Sequence, residues 1–241
     1  MSLNPHKAYS LSPIPGAETL ADGTKAVDAE DWVERLELEA VSALHRQRDE
    51  KLKVLVLYGS LRERSFSKLM AYEASRILHR IGCEVRVYDP SGLPVKDDVQ
   101  DKHPKVQELR DLSIWSEAQF WCSPEQHGNI TAVMKNQIDW IPLSTGSVRP
   151  TQGRILGFAQ SSLPLAWKNF TPAGRLKPSS NRDRLVDVCE ELVKVSLVIG
   201  PHMDMLNDRY SEREETKEKG RLLTQAEKEA EKDKVVPAAT D

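Results

Sequence analysis

Residues 53–67 read Lys53-Val54-Leu55-Val56-Leu57-Tyr58-Gly59-Ser60-Leu61-Arg62-Glu63-Arg64-Ser65-Phe66-Ser67. Lys53–Tyr58 is a short, nearly unbroken apolar run, the pattern of a strand covered on both faces. Gly59–Ser65 is a polar turn. From Ser67 the pattern changes to helical spacing, with Leu69, Met70, Ile77, Leu78 and Ile81 recurring before Gly82 stops the helix. A strand, a Gly/Ser turn and a helix in that order open a parallel α/β sheet.

The alternation continues outward. Glu84–Tyr88 (EVRVY) alternates as a second strand, and Pro104–Trp115 reads as a helix with Val106, Leu109 and Ile114 inward. Ala118–Cys122 is a third strand. Ile130–Trp140 is a helix after a Gly128-Asn129 turn, and Arg154–Gln160 is a fourth strand. The expected fold is a doubly wound parallel sheet with helices on both faces. Ser161–Gly174 then holds only 14 residues, with Pro164 and Pro172 inside. A crossover helix and a strand need about twice that length, so no fifth strand is expected before the helix Asn181–Ile199.

Three regions are expected: 1–50, an extended arm and a helix over Asp28–Glu50; 51–201, the α/β domain, incomplete after 160; and 202–241, a charged tail. Arg209–Lys234 carries eight basic and eight acidic residues, as either a solvated helix or a disordered tail. With 39% hydrophobic and 29% charged residues, the chain can bury a core. Its net charge of -3, from 34 basic and 37 acidic residues, argues against a nucleic-acid partner. No stretch approaches a membrane span, and Met1–Ala21 lacks an apolar signal block, so a cytoplasmic protein is expected. Cys83, Cys122 and Cys189 form no C-x-x-C pair, and are read as small buried hydrophobes rather than metal ligands.

Two loops hold the candidate chemistry. In the first, Ser60, Ser65 and Ser67 offer hydroxyls at a helix N-terminus, where free N–H groups and the helix dipole suit a phosphate. Arg62 or Arg64 can neutralise it. The loop is neither a Walker A loop nor a G-x-G-x-x-G loop. The alternative is a plain cap with solvated arginines. The second loop is Ser123-Pro124-Glu125-Gln126-His127-Gly128-Asn129, directly after the third strand. Its main chain can read the polar edge of a flat ring, or it is simply a capped turn.

GSLRERSFS after the first strand and SPEQHGNITAVMKNQIDWIPLSTGSVRPTQGR after the third resemble the NADPH-dependent FMN reductase family, and more narrowly its ArsH arsenic-resistance flavoproteins. RLKPSSNRDRLVDVCEELVK and DRYSERE near the end do so too. The resemblance covers about 51–160 and 175–214. It implies a flavodoxin-like fold, bound FMN reduced by NADPH, and dimers that pair into tetramers. It also implies small-molecule electron acceptors: oxygen, quinones, azo dyes, metal ions or organoarsenicals.

Matched by position, the resemblance places the phosphate on Ser60, Arg62, Ser65 and Ser67. It places the ring edge on Pro124, Glu125, Gln126, His127, Gly128 and Asn129, and the subunit contact along Asp139, Trp140, Ser144 and Ser147. At Gln126 the family commonly carries a basic residue. SSLPLAWKNFTPAG stands where the family has a flavin-touching loop, a helix and a fifth strand. No side chain is assigned as acid, base or nucleophile. Two alternatives stand beside this reading: a flavin-free remnant that acts as an interaction partner, and a flavodoxin-like electron carrier.

Overall fold

The computed structural model describes residues 32–141, 151, 155–156 and 160–235. Strand β1 (Lys53–Tyr58) lies at the centre of the sheet. It pairs in parallel with β2 (Glu84–Val87), from Lys53 opposite Glu84 to Val56 opposite Val87. On its other side it pairs in parallel with β3 (Ala118–Cys122), from Val54 opposite Ala118 to Tyr58 opposite Cys122. A hairpin of β4 (Glu125–Gln126) and β5 (Asn129–Ile130) follows β3. β6 (Ile155–Leu156) then adds to β3 in parallel. The main order is β2-β1-β3-β6. With the hairpin set aside, these are the first four positions of the flavodoxin-like order 2-1-3-4-5. Among the described residues no fifth strand joins the sheet. The remainder of the expected fourth strand, Arg154 and 157–159, lies outside the described residues, as do Ser144 and Ser147.

Both faces of the sheet are covered, which explains the unbroken apolar run. Val54, Val56 and Tyr58 enter one cluster with α2 (Phe66–Ile81) and α6 (Ser180–Ile199), through Ala74, Ile77, Leu78, Cys189 and Leu192. Leu55 and Leu57 enter the other, with Val106, Leu109 and Leu112 of α3 (Pro104–Trp115) and Met134 and Trp140 of α4 (Ala132–Trp140). Period-2 alternation sends neighbouring β1 side chains to opposite faces. Leu112 takes the inward position expected of Ile114, which is 43% exposed.

The helix expected over Asp28–Glu50 is not continuous in its described part. Trp32–Arg35 is a single 3-10 turn, and α1 spans only Glu39–His45. His45 closes it: its Nε2 accepts the Leu52 N–H at 3.1 Å, so the chain turns straight into β1. Val33, Leu38 and Val41 are buried in the first cluster. Trp32 donates its indole N–H to Glu73 of α2 at 2.8 Å. Glu73 is fully buried and also accepts from Arg76 at 2.9 Å and Arg175 at 2.6 Å.

The short stretch after residue 160 folds back on α2. It forms one helical turn, α5 (Ala166–Asn169), and a bridge between Phe170 and Leu176. Phe170 stacks on Phe66 with centroids 5.8 Å apart, and both Phe170 and Leu176 are buried. Beyond α6, the tail is helical: α7 (Met203–Asn207), α8 (Tyr210–Lys219) and α9 (Gln225–Val235). Ion pairs between α8 and α9, Lys228 with Glu215 and Lys219 with Glu231, join these polar helices. No helix among the described residues is long and apolar enough to cross a membrane.

Candidate functional site

Both candidate loops leave the carboxyl ends of adjacent strands, where open α/β sheets bind ligands. The first follows β1. Ser65 caps α2: its Oγ accepts the Lys68 N–H at 3.2 Å and lies 3.0 Å from the Ser67 Oγ. Ser60, Ser65 and Ser67 are all buried, and the Ser60 Oγ accepts the Arg62 N–H at 3.3 Å. The Ser65 and Ser67 hydroxyls thus meet at the amino end of a 16-residue helix, whose first N–H groups have no partner within the helix, and Ser60 opens the same loop.

The two arginines part company. Arg64 donates to the carbonyls of Thr171 and Pro172, both at 3.0 Å, and so clips the returning segment onto α2. The exposed Arg62 guanidinium has no side-chain partner among the described residues. Of the two candidates, Arg62 is therefore the one available to a ligand.

The second loop is a hairpin, where the sequence indicates only a turn. His127 (φ 53°) and Gly128 (φ 72°) both adopt the left-handed conformation, as the commonest two-residue hairpin turn requires. Pro124 is half-buried, whereas Glu125, Gln126, His127, Gly128 and Asn129 are exposed. Gln126 pairs with Asn129 across the turn. In such a ladder the next pair outward keeps its main-chain groups free, which leaves those of Glu125 facing away from the hairpin.

Contacts that sequence reasoning missed join the two loops. Thr131 caps α4 and accepts the Met134 N–H at 3.3 Å. Its hydroxyl donates to the Gly59 carbonyl at 2.6 Å. Its N–H donates to the Ser123 Oγ at 3.2 Å, and that hydroxyl donates to the Pro124 carbonyl at 2.9 Å. The Gly59 N–H donates to the Cys122 carbonyl at 2.9 Å. Gln137 reaches the Tyr58 carbonyl at 3.0 Å, and its buried Oε1 has no partner among the described residues. A Cβ on Gly59 would lie 2.8 Å from the Thr131 Oγ1 and 2.9 Å from both the Met134 Cβ and the Ser123 Oγ. Only glycine fits there. The missed signal was Thr131 itself: a Thr placed just before a helix is a standard cap, and the helix begins at Ala132, two residues after the expected Ile130.

The surroundings hold ordinary charge states. The Tyr58 hydroxyl donates to Asp89 at 2.8 Å. Burial, and then Asp89, push its phenol well above the usual range. Burial opposes ionisation of Asp89, but hydrogen bonds from Ser91 and Tyr58 and the charge of Lys105 hold its carboxyl below the usual value. Burial pushes the thiols of Cys83 and Cys122 up to about 12, and that of Cys189 well above its ordinary value. Cys83 and Cys189 are buried and Cys122 is half-buried. All three therefore stay protonated near neutral pH, as expected of apolar packing residues. Trp140, assigned by resemblance to the subunit contact, is fully buried, and its indole N–H donates to the Pro94 carbonyl at 2.8 Å. Asp139 pairs with Lys135.

The two loops together suit a ligand with an anionic end and a flat end. Hydroxyls, helix N–H groups and Arg62 face one loop, Gly59 removes the side chain that would separate the loops, and an exposed hairpin lies beside it. A family profile described as NADPH-dependent FMN reductase matches residues 52–164. The NADPH-dependent FMN reductase ArsH of Rhizobium meliloti (strain 1021) is 49% identical over 208 aligned residues, covering 74% of this chain and 84% of that protein. The Shigella flexneri protein of the same name is 48% identical over 192, covering 67% and 75%. Since 74% of 241 residues is about 178 against 208 aligned positions, about 30 positions of the Rhizobium protein have no counterpart here. Among solved structures, the flavoenzyme FerB of Paracoccus denitrificans matches at TM-score 0.43 and 18% identity, over 60% of this chain and 98% of its own. The fold assignment rests on the strand order and not on that match. By its identity to the ArsH proteins over most of their length, this chain belongs to the NADPH-dependent FMN reductase family, on its ArsH branch.

Proposed function

We propose that the chain is an ArsH-type NADPH-dependent FMN reductase that holds FMN across the two loops. Ser60, Ser65, Ser67 and the amino end of α2 hold the phosphate, and Arg62 neutralises it. The hairpin of residues 124–129 lies along the ring edge, with main-chain groups doing the reading. When bound, FMN supplies the hydride chemistry, taking a hydride from NADPH and passing electrons onward. The chain supplies position and polarity, and none of its side chains serves as acid or base. Arsenic compounds, quinones, azo dyes, metal ions and oxygen are the acceptor classes, and a dimer or tetramer is the assembly. The cytoplasm is the proposed location.

The observation that carries this reading is the junction of the loops. A serine-rich loop at a helix amino end and a polar hairpin, on adjacent strand ends, are tied together through Gly59 and Thr131. The test is FMN titration of purified protein, with NADPH oxidation followed in parallel. Arg62→Ala combined with Ser65→Ala removes a charged donor and a hydroxyl. At about 1.5–3 kcal/mol for a hydrogen bond to a charged group, FMN binding should weaken at least about tenfold. Unchanged FMN affinity in the pair rules out this phosphate site.

One observation favours a second reading, the flavin-free remnant. The returning segment that stands in for the family's third flavin loop has its carbonyls engaged by Arg64. A purified protein with no flavin spectrum after FMN addition selects that reading. Bound FMN without NADPH consumption selects an electron carrier.

A further inference from the structure

A flavin nucleotide must be gripped at two ends by two loops on different strands, and something must fix the distance between those loops. Register alone brings Tyr58 opposite Cys122. Past the strand ends, the Thr131 hydroxyl joins the two loops. The Thr131 Oγ1 donates to the Gly59 carbonyl of the first loop, while its own N–H is held by Ser123 of the second. The missing Cβ at Gly59 is what lets that hydroxyl approach to 2.6 Å. A threonine that only capped α4 would need its contact with the Met134 N–H and no more.

We propose that Thr131 is a positioning residue: its hydroxyl sets the separation of the phosphate loop from the ring hairpin, so that both ends of one FMN are held at once. The proposal deepens the FMN reading and rests on it. Two subsites reinforce each other only when the span between them matches the ligand. Loosening the junction therefore penalises a ligand that uses both subsites. A ligand that uses the hairpin alone is spared. Riboflavin, which has the ring but no phosphate, is that second ligand.

The experiment measures dissociation constants for FMN and riboflavin in the wild type, Thr131→Val, Thr131→Ser and Ser123→Ala. Thr131→Val keeps the shape and removes the hydroxyl. It should weaken FMN at least about tenfold while riboflavin moves less than about threefold, the signature of lost reinforcement. Thr131→Ser restores the hydroxyl and should restore FMN binding to within about threefold of wild type. Equal weakening of both ligands in Thr131→Val, or no rescue by Thr131→Ser, overturns the proposal in favour of a simple cap. If circular dichroism shows Thr131→Val unfolded, Ser123→Ala carries the test. It frees the Thr131 N–H from its acceptor, and the preference for FMN over riboflavin should fall at least about threefold; an unchanged preference overturns the proposal. A wild type that binds the two flavins equally, or neither, refutes the phosphate site itself and this proposal with it.

Discussion

Glu73 offers the most direct test of how the segment after residue 160 is held to the rest of the chain. Its carboxylate is 0% exposed and accepts from three segments. Trp32 approaches from the N-terminal segment at 2.8 Å, Arg76 from α2 at 2.9 Å and Arg175 from the returning segment at 2.6 Å. Glu73→Gln keeps the volume and one acceptor oxygen but removes the charge that both guanidinium groups share. Breaking a buried pair at one partner costs ~3–5 kcal/mol, and the surviving acceptor places this substitution near ~3 kcal/mol. Against a usual total of ~5–15 kcal/mol that is a large share. For a chain of this size each kcal/mol shifts the melting temperature by about 2–4 °C, so a fall of about 6–12 °C is expected. Calorimetry and urea unfolding at pH 7 measure it. Trypsin should also cut faster after Lys168 and Arg175, because the returning segment loses its anchor. Stability within ~1 kcal/mol of wild type, with unchanged cleavage, would show that desolvation cancels the attraction and that Phe170, Leu176 and the Arg64 contacts hold the segment without it.

Two further outcomes follow from the close contacts. Gly59→Ala places a methyl within 2.9 Å of three atoms, so a loss of ~1–3 kcal/mol should appear in urea unfolding together with weaker FMN binding; an unaltered protein would mean that the two loops are not pressed together. Burial, then the charges of Arg48 and Lys51, lower the pKa of His45 from 6.5, against a smaller opposing effect of Glu117. A folded value below the unfolded one means that the neutral ring's contribution is complete above about pH 6.5 and is lost as pH falls below it. Urea midpoints should therefore drop on acidification, and His45→Asn, which keeps an acceptor for the Leu52 N–H, should flatten that drop; an identical slope in the variant would assign the effect to other groups.

Much of the architecture was readable from periodicity. Lys53–Tyr58, Ala118–Cys122 and Pro104–Trp115 fall where the apolar spacing puts them, since a strand buried on both faces and an amphipathic helix leave distinct patterns. The segment before β1 was less legible. Trp32, Leu36 and Val41 are apolar at helix-like spacing, but they serve a turn and a short helix stopped by His45. That stop depends on a ring accepting the N–H of Leu52, seven residues ahead, and local spacing carries no trace of it. The tail's equal charges left a solvated helix and a disordered tail both open, and the pairing partners Lys228 with Glu215 and Lys219 with Glu231 lie on two different helices.

The linear order of residues was enough to establish a parallel sheet, its helices, the two polar loops and the shortfall after residue 160, because each depends on neighbours in the chain. Which arginine is left for a ligand, and how one loop is tied to the other, came only with folding. Arg62 and Arg64 are equivalent as residue types, and contact with the carbonyls of residues 171 and 172 separates them. Gly59 and Thr131 are 72 positions apart. Their hydrogen bond exists because β1 and β3 pair in register and bring the ends of both strands together.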